Sequence, residues 1–71
     1  MRRNIQSQTT LLQRYENANT IDKMAILSKA LFQIGISGYS YGQLVILKDT
    51  NMAKYKRLEA KAKEYMKDCI V

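Results

Sequence analysis

The residues of this chain that could do chemistry are few, and their spacing excludes most reactions. Histidine is absent, which removes the ordinary general base, the Ser-His or Cys-His pair and the imidazole ligand. Cys69 is the single cysteine, and one thiol cannot supply a zinc site that needs three or four donors. The glycines, Gly35, Gly38 and Gly42, form neither a phosphate-binding loop, because no G-K-[ST] follows them, nor a dinucleotide fingerprint. Carboxylates stand at helical spacing from bases, Glu59 four residues before Lys63 and Glu64 three before Lys67, which reads as solvated ion pairs. The expectation is a protein that is not an enzyme and uses no cofactor and no metal.

Cationic and aromatic chemistry remains. Residues 1 to 14 hold Arg2, Arg3 and Arg14 with no acid, residues 15 to 49 balance Lys23, Lys29 and Lys48 against Glu16, Asp22 and Asp49, and residues 50 to 71 again carry an excess of bases. Basic ends around a neutral, apolar middle suggest a helical body that presents positive surface to an anion, most commonly nucleic acid. On a C-terminal helix, Lys54, Arg57 and Lys61 share one stripe and Lys56, Lys63 and Lys67 another, suited to phosphates rather than to base reading. Tyr55 and Tyr65 are candidates to stack on unpaired bases.

A second route to nucleic acid is a helix-turn-helix across residues 27 to 47. Counted from Gly35 as the turn glycine, Ala30, Ile34, Ile36, Tyr41 and Leu44 stand where that motif wants small or apolar residues. Tyr39, Ser40 and Gln43 would then face base edges, with Lys48 the first base beyond them. Leu31 occupies the motif's usual alanine position, Gly42 weakens the reading helix, and a plain helical hairpin fits the same pattern. The expected nucleic-acid set is Arg2, Arg3, Tyr39, Ser40, Gln43, Lys48, Lys54, Arg57 and Lys61.

These residues must be positioned by helices. Proline is absent and all glycines fall between residues 35 and 42, so the strongest break lies there. Residues 1 to 5 are expected as a flexible basic arm. Leu11, Leu12, Tyr15 and Ala18 predict a first helix from about Gln6 to Ala18. A second helix is capped by Thr20 and carries Asp22 in its first turn, with Ile21, Met24, Leu27, Leu31 and Ile34 at three- and four-residue spacing. Ala25, Ile26, Ala30 and Phe32 widen its apolar stripe until it must be covered on more than one side, and Gly35 ends it.

Ser40-Tyr41-Gly42-Gln43 is a capping-box pattern, so a third helix starts at Tyr41. It is expected to continue to about Asp68, with local weakness at Asp49-Thr50-Asn51. Tyr55, Leu58, Ala62, Tyr65 and Cys69 lay one narrow seam along it, which wants a partner helix within the chain or from a second copy. That seam is the expected partner interface.

The predicted architecture is all-α: three helices, with a helical hairpin and a long C-terminal helix, in one domain spanning 1–71. A chain of 71 residues buries only about 60% of its unfolded surface and is marginal alone, so a homo-oligomer is expected. The lone cysteine, the polar run Gln6 to Thr10 where a signal peptide would be apolar, and apolar runs no longer than Leu44 to Leu47 together predict a cytoplasmic protein without membrane contact.

Thr9, Leu12, Arg14 and Thr20-Ile21-Asp22, followed by Ser40, Gln43 and Leu44, resemble the layout of the Hha family, small enterobacterial proteins that modulate nucleoid-associated silencing by binding a partner protein. The likeness covers about half the chain. Asn51-Met52-Ala53-Lys54 replaces the family's Asp-His-Arg stretch, and the loop before Ser40 is longer, so no functional residue is carried over. The resemblance implies regulation through a protein partner, with DNA contact secondary.

Two functions follow. The first is a small basic regulatory protein that associates with nucleic acid, as a homodimer. The alternative is a protein-binding adaptor or inhibitor module of phage or mobile-element type that docks through its apolar helical faces. A bare coiled-coil oligomer ranks third.

Overall fold

The computed structural model describes residues 9–71, and among them it is all-helical: α1 Leu11–Asn17, α2 Thr20–Gln33, α3 Tyr41–Thr50 and α4 Met52–Lys67. The basic arm with Arg2 and Arg3, and the expected helix start at Gln6, lie outside the described residues.

Each boundary has a local cause. Thr10 is extended and closes a complete capping box: its hydroxyl accepts the Gln13 amide at 3.1 Å and its own amide donates to Gln13 Oε1 at 2.9 Å. That box starts α1 at Leu11 rather than earlier. Asn19, not Thr20, caps α2, because its Oδ1 accepts the Asp22 amide at 2.8 Å; Thr20 is the first helical residue. Asp22 does stand in the first turn, where the helix dipole favours an acid.

At the other end of α2, the Gly35 amide donates to the Phe32 carbonyl and the Ile36 amide to that of Leu31. This paired closure needs a left-handed residue, and Gly35 supplies it at φ 88°. The seven residues 34–40 then connect to α3, tied down by a 2.7 Å bond from the Ser28 hydroxyl to the Tyr39 carbonyl. Ser40 caps α3 by accepting the Gln43 amide at 3.4 Å.

The expected long third helix is two helices. Asn51 sits at φ −152° and ψ 77°, its amide closing α3 on the Leu47 carbonyl at 2.7 Å while its Oδ1 opens α4 on the Lys54 amide at 3.2 Å. Just before it, Thr50 turns its hydroxyl onto the Ile46 carbonyl, a bond that competes with helix propagation. An unbroken helix over 41–67 would run about 40 Å and carry its apolar seam away from the other helices. The break lets α4 pack against α1, α2 and α3 of its own chain.

The core gathers one or more side chains from every helix: Tyr15 of α1, Met24, Leu27, Ala30 and Leu31 of α2, Leu44 of α3, and Tyr55, Leu58, Ala62 and Met66 of α4. α2 packs against the other three helices, which is how its broad apolar stripe is covered, although Ile21 and Phe32 stay exposed. Along α4 the buried line departs from the expected seam after Ala62, taking Met66 and leaving Tyr65 at the edge. A straight helix repeats every 3.6 residues and drifts off a strict heptad, so the third step from Tyr55 falls on Met66. The two chain segments flanking the bundle are clipped together by an antiparallel bridge, with the Leu11 amide bonded to the Cys69 carbonyl and the Val71 amide to that of Thr9.

Candidate nucleic-acid interface

α4 buries one face and turns the other outward, and the three- and four-residue spacing of Lys54, Arg57 and Lys61 sets all three on the outward side. Among the described residues none of the three has an acid within ion-pair distance. Lys63 and Lys67 are engaged, with Lys63 Nζ 3.9 Å from Glu16 and Lys67 Nζ 3.3 Å from Glu64, whereas Lys56 has no such partner among the described residues. Lys54 Nζ stands 5.8 Å from the centroid of the half-buried Tyr39 ring, so the fold brings the loop tyrosine to the head of the basic stripe.

The ion pair expected between Glu59 and Lys63 is replaced. Tyr15 is 1% exposed, its phenol needs an acceptor, and it donates to Glu59 Oε2 at 2.5 Å. Lys63 is released to Glu16 and to the face of the Tyr15 ring, 5.9 Å from its centroid, with Lys23 at 5.5 Å. Burial, reinforced by the hydrogen bond to Glu59, pushes the Tyr15 phenol far above its ordinary range. Burial likewise raises Tyr55, whose hydroxyl donates to Met24 Sδ at 3.8 Å. Tyr65 is raised by its hydrogen bond with Cys69, then by burial.

The other expected site residues separate. Tyr55 is 5% exposed and presents no face to a base, while Tyr65 is half-buried. Ser40 and Gln43 are exposed at the start of α3, with the serine hydroxyl occupied in capping. Lys48 is exposed on α3 and its Nζ lies 5.7 Å from the Tyr55 ring. The connection of seven residues between α2 and α3 exceeds the three- or four-residue turn of a helix-turn-helix. Tyr41, which that motif would bury, is 44% exposed.

Of the expected partner interface, Tyr55, Leu58 and Ala62 lie inside the chain's own core, and Tyr65 and Cys69 are half-buried at its margin. The apolar surface left over is elsewhere. Tyr41, Val45, Ile46 and Met52, each between 42% and 56% exposed, line a shallow groove of about 590 Å³ beside Thr20 and Met24 of α2. The signal for it was the run Leu44 to Leu47: four consecutive apolar residues on a helix point all round, and one core cannot take them all.

Fold and surface together define a small basic domain of four helices among the described residues, with a cationic outer face on α4 and an apolar groove on α3. Among the described residues no helix is long and apolar enough to cross a membrane. No family model matches the chain, and no curated protein and no solved structure matches it either.

Proposed function

We propose that this chain is a small, non-enzymatic regulatory protein that associates with nucleic acid through its phosphates. One observation carries the reading: Lys54, Arg57 and Lys61 line the outward side of α4 without an acidic partner among the described residues, while Lys63 and Lys67 of the same helix are paired. Unpaired cations at this spacing can each displace a counterion from the phosphate backbone. Tyr39, beside Lys54, adds an aromatic face at the end of the stripe. Arg2 and Arg3 extend the basic set in sequence. The reading takes the chain as cytoplasmic, in keeping with its single cysteine.

Fluorescence polarisation of labelled duplex and single strands across a salt series tests it. The wild-type protein should bind at low salt and weaken steeply as salt rises. Replacing Lys54, Arg57 and Lys61 together by alanine should lower the log–log salt slope on duplex by about 2.7, the value for three phosphates. No binding to either form at low salt refutes the reading, as does an unchanged slope in the triple variant.

The second reading, a protein-binding adaptor or inhibitor of phage or mobile-element type, is favoured by the exposure of Tyr41, Val45 and Ile46. A stoichiometric protein partner recovered by pull-down and lost on Val45→Glu supports that reading over the first.

A further inference from the structure

The groove beside α3 is largely apolar and balanced in charge. Tyr41, Val45, Ile46 and Met52 form its walls, and Lys48 and Asp49 are the charged residues that line it. One base and one acid cancel, so the formal charge of +6 lies entirely on the rest of the molecule. Thr20 and Thr50 also line the groove, and apolar side chains together with a few polar ones are the composition of a protein–protein contact.

We infer that a second copy of this chain covers this face in a two-fold symmetric dimer. Two molecules of charge +6 repel through most of their surfaces, and a face of zero net charge is where they can approach. A two-fold contact sets a patch against its own copy rotated by 180°, so the patch must complement itself. A lysine beside an aspartate on consecutive residues does so: Lys48 of each copy meets Asp49 of the other. An acidic partner protein would instead be drawn to the outer face of α4. The dimer also covers apolar surface that a chain of this size leaves in water, adding to a stability that is small for one copy. The inference is independent of nucleic-acid binding and of the α4 seam, which the chain fills itself.

Sedimentation equilibrium of the full chain, from micromolar to millimolar concentration, tests it. The wild type should approach twice the 8.2 kDa mass of one chain. Val45→Glu with Ile46→Glu should give a monomer with unchanged helical circular dichroism, since both side chains are exposed in the single copy. Asp49→Lys alone should weaken dimerisation about tenfold or more, by setting like charges together, and Lys48→Glu combined with Asp49→Lys should recover it. A wild type that stays monomeric at every concentration overturns the inference. So does a dimer that survives the double glutamate variant, or a charge swap that fails to recover the loss from Asp49→Lys.

Discussion

Tyr15→Phe removes a core hydroxyl whose hydrogen bond to Glu59 ties α1 to α4. The ring keeps its packing, because the phenol oxygen alone is removed from a residue that is 1% exposed. What is lost is a bond of 2.5 Å to a carboxylate, and bonds to charged groups contribute about 1.5–3 kcal/mol. Glu59 is half-buried and can turn its freed oxygen to water, so the low end applies, about 1.5 kcal/mol. For a domain of this size that is a fall in Tm of roughly 6–12 °C. Urea titration monitored by circular dichroism at neutral pH should show the same difference.

Alkaline pH should reverse the order. The Tyr15 phenol is held neutral in the fold by burial and by Glu59, above its ordinary value of 10.0, whereas the unfolded chain ionises near that value. Above it the unfolded state binds fewer protons than the folded one, so the stability from Tyr15 is intact below pH 10 and is lost as pH rises further. The loss is about 1.4 kcal/mol per pH unit. Phenylalanine has no such ionisation, so an initial deficit of about 1.5 kcal/mol closes and the two curves cross near pH ~11. Parallel curves from pH 9 to about 12 would refute the reasoning, because they would mean that Tyr15 ionises alike in both states. A neutral-pH difference below about 0.5 kcal/mol would refute the bond's contribution.

Other expectations follow from single positions. Leu44 is the one residue of α3 that is fully buried among those described, so Leu44→Ala should cost about 2–5 kcal/mol, enough to abolish the cooperative urea transition or move it to very low denaturant. Gly35→Ala and Gly42→Ala should have opposite signs, although an added Cβ meets nothing within 4 Å at either site. At Gly35 the positive φ of 88° makes alanine destabilising by about 1 kcal/mol or more. At Gly42, inside α3, alanine should stabilise by roughly 0.5–1 kcal/mol. Thermal melts of the two variants measured side by side check both.

Some of these features are legible in sequence because the bonds that make them are short in sequence. Gly35 ending α2, Ser40 opening α3 and Asp22 lying in a first turn all depend on partners within three or four residues. The weakness expected at Asp49-Thr50-Asn51 was also visible, but whether it bends or breaks a helix depends on what the two halves can pack against. The core supplies that packing, and the helix breaks at Asn51. The basic stripe of Lys54, Arg57 and Lys61 follows from helical periodicity alone, whereas the absence of an acidic partner among the described residues does not. Glu59 had a lysine four residues away and took a tyrosine 44 residues away instead.

Sequence by itself determined that this chain is helical and cationic, where its strongest break falls, and which side of its last helix carries the stripe of Lys54, Arg57 and Lys61. Those properties come from propensity, capping and charge, all local quantities. Tertiary structure alone decided which apolar residues are hidden. It put Tyr55 and Leu58 in the chain's own core, replaced Tyr65 by Met66 on the buried line, and left Tyr41, Val45 and Ile46 in water. Burial depends on the directions in which whole helices approach one another, and here the turn at Asn51 sets the direction of α4. No window of a few residues contains that information.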